Sequence, residues 1–206
     1  METTTFNLGQ TYFELFGLPL DSQPDQAVLR DKYMVLQRQF HPDKFASADD
    51  QQRRQAVQIA SYINQAHQTL ADPLKCAEYC LQLQGVEVDS ETDAKMDPMF
   101  LMEQMELRET LEDITADNPG ALDQLSGLRG EINSKINSVS EAAFSQIKSR
   151  DTVEARNSIR KWQFLSKLYA EAESVEAKID FKAVITQTKS IMGPERQLSP
   201  VAGSKI

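Results

Sequence analysis

From residue 26 onward the chain repeats one arrangement of apolar and polar positions. Leu29, Tyr33, Leu36 and Phe40 fall at i, i+4, i+7 and i+11, which places them on one face of an α-helix. Ala56, Ile59, Ile63, Ala66 and Leu70 share a face of a second helix, Pro73 punctuates, and LKCAEYCLQL makes a short third helix that Gly85 ends. TYFELFGL, ahead of Pro19, predicts one or two further turns. The two long helices are joined by fewer than about a dozen residues, so they must pack as an antiparallel hairpin.

The pattern breaks at residues 85–98, GVEVDSETDAKMDP, with glycine at one end, proline at the other and acids between. This gives a first unit over 1–84, a second unit from 97, and an acidic linker over 85–96 that separates the two. In the second unit, Leu125, Leu128, Ile132, Ile136, Val139, Ala143 and Ile147 recur at spacings of three and four, as do Leu165, Leu168, Ala172, Val175 and Ile179. With residues 98–114 and turns at Asn118-Pro119-Gly120 and Ser149-Arg150-Asp151, these predict a three-helix bundle ending at 181. The stripe fades near Lys182, and the composition of 182–206 predicts a disordered tail. The expected fold class is all-α, with no strand alternation, glycine-rich phosphate loop or internal repeat.

Composition narrows the function classes. The 206 residues are 40% hydrophobic and 26% charged with a net charge of −9, ordinary for a soluble protein and poorly suited to nucleic acid or anionic lipid. No run approaches the ~18 apolar residues of a membrane span, and METTTFNLGQ lacks the features of a secretory or transit signal. Cys76 and Cys80 lie four apart in a helical run without the two further ligands a zinc site needs. They read as buried helix residues, since free cysteine packs as a small hydrophobe. The expectation is a cytoplasmic protein with no metal, no cofactor, and neither nucleic acid nor membrane as partner.

His41-Pro42-Asp43, within QFHPDKF, admits three readings. A general acid–base histidine needs a carboxylate or nucleophile in reach and a pocket that excludes water. Asp43 is near, but the segment joins two helices of a small unit, and His67, the other histidine, lies beyond the edge of its own helix's apolar face, so no catalytic residue is assigned. A plain proline-containing connection is the bland alternative. The third reading is a shape held out for another protein to grip. On the helix between residues 25 and 40, Arg30, Met34 and Arg38 line up roughly opposite Tyr33 and Phe40, with Lys44 beyond the tripeptide, a sparse basic strip on an acidic chain.

YFELFGL, then LQRQFHPDKF, then INQAHQTLADPLKCAEY together resemble a J domain, whose hallmark is a His-Pro-Asp loop between its second and third helices. J domains are not enzymes; they stimulate ATP hydrolysis by chaperones of the DnaK class. The resemblance implies that His41, Pro42 and Asp43 contact such a chaperone, with Arg30, Lys32, Arg38 and Lys44 steering the encounter. Val35 and Gln39 stand where that family often carries bases, which points to a specialised chaperone partner.

PMFLMEQMELRETLEDI, residues 98–114, places Phe100, Leu107, Leu111 and Ile114 within about 60° of one another on a helical wheel, a core stripe. Leu101, Met102 and Met105 form a second apolar group on the far side, beside Glu106, Glu109 and Asp113. One helix of a three-helix bundle cannot bury both faces within its own unit. Either the linker or the first unit covers the second group, or it is a partner site.

J domain, acidic linker and helical bundle together are similar to the HscB family of iron–sulfur co-chaperones, over about Thr11 to Phe181, with FLMEQMELRE the most specific motif. The family recruits an IscU-like scaffold protein to an HscA-like chaperone. Carried over by position, the resemblance implies scaffold contacts at Leu101, Met102, Met105, Glu106, Glu109, Asp113 and Phe164, the last of which reads equally as an edge-of-core aromatic on pattern alone. Met105 stands where leucine is usual and Asp113 where glutamate is, and the N-terminal cysteine motifs of eukaryotic relatives are absent, in keeping with a bacterial-type protein. The competing expectations are a J-domain co-chaperone for another client and, more remotely, a helical DNA-binding module.

Overall fold

The computed structural model describes residues 6–20, 22–88, 97–115, 118 and 120–192, and all regular structure among them is helical. In chain order, α1 spans Tyr12–Phe16, α2 Gln26–Phe40, α3 Asp50–Ala71, α4 Pro73–Leu83, α5 Pro98–Asp113, α6 Ala121–Ser149 and α7 Thr152–Met192, with a 3-10 turn over Pro42–Phe45 between α2 and α3.

Local chemistry sets the boundaries. Asp25, Asp49, Asp72 and Asp97 are N-caps of α2, α3, α4 and α5, each carboxylate accepting from backbone N–H groups of the first turn. Thr11 and Glu14 close a capping box on α1. Asp72 serves twice, ending α3 and starting α4, so the two helices follow one another without a loop. Gly17 ends α1 at φ 54°, a left-handed conformation that glycine adopts without penalty. Arg150 takes the same region at φ 60° to turn α6 back into α7.

The sequence stripes are the cores. Leu29 of α2 and Ala56, Ile59, Ile63, Ala66 and Leu70 of α3 are buried, as are Phe100, Leu107 and Leu111 of α5, and Leu125, Leu128 and Ile132 of α6. Cys76 and Cys80 are free thiols, both wholly buried. A hydrogen bond between them, with burial second, pushes the Cys76 thiol far up.

Two expectations change. The linker does not isolate the units. The core of the first unit, formed by Phe13, Leu29, Ile63 and Leu70, continues through Cys76, Ala77, Cys80 and Leu81 of α4 into Ala143, Ile147, Ala155, Ile159 and Trp162 of α6 and α7. Gln84 Nε2 donates to the Ile147 carbonyl at 2.9 Å, Gln163 Nε2 to Glu78 Oε1 at 2.8 Å, and Arg160 Nε to the Val88 carbonyl at 3.0 Å. Helix α4 is apolar toward α3 and toward the bundle, so burying both sides needs the second unit. Residues 89–96 of the expected linker lie outside the described residues.

The second change concerns the expected tail at 182–206. Helix α7 continues to Met192. Residues 182–192 contain no proline or glycine to stop helix propagation, and Gly193-Pro194 supplies both. The remainder, 193–206, lies outside the described residues.

Candidate functional site

The His-Pro-Asp loop is built by its proline. Pro42 keeps His41 extended, at φ −62° and ψ 129°, which ends α2, and then occupies the first position of the 3-10 turn, where its missing N–H is not needed. His41 Nδ1 accepts the Asp43 N–H at 3.3 Å, which folds the imidazole back over the turn. Asp43 Oδ2 also lies 3.5 Å from that nitrogen. The two side chains are 51% and 90% exposed. The loop therefore presents an imidazole, a proline ring and a carboxylate to solvent, which suits recognition and not water-excluding catalysis.

Arg30, Arg38 and Lys44 are exposed on this side, Met34 among them, and none of the three bases is in an ion pair among the described residues. Lys32 differs. Its ammonium donates to the Gly17 carbonyl at 2.7 Å, satisfying an orphan acceptor at the end of α1. His67 stacks on Tyr33 with ring centroids 4.0 Å apart, away from the loop's polar groups.

Helix α5 lies across α6 and α7 on one face only. Its flanks are pinned by Glu103 to Lys135 of α6 and by Arg108 to both carboxylate oxygens of Glu171 of α7, at 3.1 Å each. The outer face is bare: Leu101 is 43% exposed, Met102 60% and Met105 64%, and Glu106, Glu109 and Asp113 are exposed beside them. Neither unit covers this group. Phe164 is half-buried on α7, edge-on to Phe100 at 6.0 Å, with the Arg108 guanidinium 6.0 Å from its centroid. It belongs to the bundle core and its rim at once.

Two residues escaped the sequence reading. Met99, 73% exposed, extends the apolar face by one position; the signal was its place beside Leu101 and Met102 in an otherwise capped first turn. Lys161, whose ammonium lies 5.2 Å from the Phe100 centroid, had no sequence signal, because the contact joins helices 61 residues apart. Among the described residues no helix is long and apolar enough to cross a membrane.

Comparison with known proteins converges on one group. Residues 96–173 match the family model described as the HSCB C-terminal oligomerisation domain. The chain is 45% identical over 168 residues to a co-chaperone protein HscB homologue of Vibrio atlanticus (strain LGP32), covering 82% of this chain and 98% of that one. A homologue of the same name in Vibrio cholerae serotype O1 (strain ATCC 39541 / Classical Ogawa 395 / O395) is 43% identical over 172 residues, with the same coverage. Among solved structures, chaperone HscB from Vibrio cholerae superposes with a TM-score of 0.74 at 41% identity, covering 82% of this chain and 99% of that chain. Human co-chaperone HscB gives 0.71 at 27% identity, covering 87% and 85%.

Proposed function

The chain belongs to the HscB family of co-chaperones, and from that premise we propose that it delivers an IscU-like scaffold protein to an HscA-like ATPase during iron–sulfur cluster assembly. It is a co-chaperone and not an enzyme. In this reading the His41-Pro42-Asp43 loop triggers ATP hydrolysis by the DnaK-class partner, with Arg30, Arg38 and Lys44 raising the rate of encounter. Lys32 acts at one remove, by holding α1 against α2. The scaffold docks on the outer face of α5.

The observation that carries the proposal is the split of α5: one face buried on the bundle, the other exposing Leu101, Met102 and Met105 at 43%, 60% and 64%. Covering each exposed side chain contributes up to ~1.5–3 kcal/mol before association costs. The acids, as rim ion pairs, give about 0–1 kcal/mol each. Affinity thus resides in the apolar group and orientation in Glu106, Glu109 and Asp113, with Phe164 at the flank. Methionine suits a contact that must adapt to its partner.

The mechanism is bridging. Because α4 fuses the J-domain core to α6 and α7, client and trigger are held on one body, and scaffold binding raises the local concentration of client at the chaperone. A cytoplasmic setting is in keeping with two free thiols. Single-turnover ATPase assays with the DnaK-class chaperone and scaffold test the trigger. Asp43→Asn should abolish stimulation while far-UV circular dichroism and scaffold affinity stay at parental values, since an exposed loop side chain supports neither core. Full stimulation by the Asp43→Asn protein would remove the J-domain assignment.

A further inference from the structure

We propose that the chaperone ATPase inserts one apolar side chain, of leucine to phenylalanine size, into a small cavity behind His41 and Pro42. Docking would then read the cleft between α2 and α3 as well as the loop. The inference rests on the J-domain reading and adds to it a place and a ligand chemistry.

The cavity holds about 150 Å³ and opens between the end of α2, the loop and the middle of α3. Phe40, Pro42, Ala60 and Ile63 supply its apolar lining, with the amides of Gln37 and Asn64 also at the site. It exists for a local reason. Extended backbone at His41 ends α2 beside the middle of α3, and Ala60 has only a methyl group to put into the space between them. A space of ~150 Å³ accepts a group the size of benzene, and the apolar side of this one faces Phe40, Pro42, Ala60 and Ile63. Pocketed anchors of this kind carry a disproportionate share of interface energy.

The site is also held in shape. Gln37 Nε2 donates to Tyr33 Oη and to Asn64 Oδ1, each at 2.6 Å, and Tyr33 Oη donates to Asn64 Oδ1 at 3.0 Å. This clamp ties α2 to α3 next to the cavity and fixes both amide orientations. Gln37 Oε1 and the Asn64 amide hydrogens are left without a partner among the described residues. They are an acceptor and a donor suited to the peptide group that would bring the side chain in.

Position selects the occupant. His41 and Pro42 themselves line the cavity, so a surface that covers the loop reaches it. Gln37 lies within ~20° of Arg30 around α2, on the side of the basic strip. The partner that uses the loop and the strip is therefore the partner placed to fill the cavity.

Ala60→Leu in the full chain fills the space with a residue that favours helix. The probe is the ATP-bound DnaK-class chaperone, with affinity read by biolayer interferometry beside single-turnover hydrolysis, a thermal melt and the backbone amide NMR signals of Asp43 and Lys44, loop residues that do not line the cavity. The expected result is affinity at least about tenfold weaker, with an equal or higher melting temperature and the Asp43 and Lys44 signals unmoved. Ala60→Ser, which adds almost no volume, should bind within about twofold of the parent. If Ala60→Leu melts low, Ala60→Val takes its place, with a loss of at least about threefold expected. Parental affinity in the filled variant overturns the proposal, as does a loss that comes with displaced Asp43 and Lys44 signals, because the added bulk would then act on the loop. Asp43→Asn in the same assay separates the two levels. If it loses stimulation while Ala60→Leu binds normally, only the cavity is wrong; if it stimulates fully, the loop reading falls first.

Discussion

His67 packs face to face with Tyr33, the residue whose hydroxyl anchors the Gln37–Asn64 clamp. Burial disfavours the imidazolium and holds its pKa below the ordinary 6.5. As pH falls through about 6.5 the unfolded chain takes up this proton before the folded one, so stability drops on the acid side. We expect the His67 ring signals to titrate below 6.5, and His67→Phe to lose less melting temperature than the parent between pH 7 and pH 5.5. Equal slopes would show that the ring is solvated. Side chains of this kind mark where sequence reading stops. The His67 ring stacks on a partner 34 positions away and the Lys32 ammonium donates to one 15 positions away, and no local pattern encodes such distances. By contrast His41, Pro42 and Asp43 act through backbone preferences of neighbouring residues, and proline makes that legible from sequence.

At the scale of elements, period-3.6 patterning located α2 through α7, because each helix buries one stripe and the stripe leaves a regular trace. On α5 the same trace revealed a second stripe, and the structure leaves it bare. Replacing Leu101, Met102 and Met105 together by alanine should change stability by no more than about 0.5 kcal/mol per site, as exposed positions do. Phe164→Ala should cost about 2 kcal/mol, since part of that ring is in the bundle core. Thermal melts read the difference, and calorimetric titration with the scaffold should show both variants weakened. A triple variant that melts as badly as Phe164→Ala would mean that the outer face packs on something. The end of α7 was not legible, because an amphipathic stripe fading after 181 looks the same whether the helix stops or runs on into solvent.

The molecule as a whole behaves as one body in this account, joined through a core that the stripes did not locate. A stripe says that Ala143 and Ile147 are buried, but not against which neighbour, and α4 proved to be that neighbour; Ala155 and Ile159, which no stripe marked, are buried there too. Trp162, the single tryptophan of the chain, sits in this shared core edge-on to Phe144 at 6.2 Å. Its fluorescence and the far-UV signal of all helices should therefore unfold with the same midpoint. Leu81→Ala, which empties a fully buried position on α4, should cost about 2–5 kcal/mol of stability and lower both midpoints together. Two separated transitions would mean that the units fold independently, as the linker alone suggested.

The claim that joins these scales is that client and trigger must sit on the same molecule. It is tested most directly by complementation between chains, in single-turnover ATP hydrolysis by the DnaK-class chaperone with scaffold below saturation. One sample contains the parent chain. The other contains equal amounts of Asp43→Asn, which keeps the client face, and the Leu101→Ala, Met102→Ala, Met105→Ala chain, which keeps the trigger. Bridging predicts that scaffold and parent accelerate hydrolysis synergistically, whereas the mixture reaches only the rate of the scaffold-free trigger, because effective concentration is lost when the two functions are on different chains. A mixture as active as the parent would show that the two surfaces work separately, and would contradict the account.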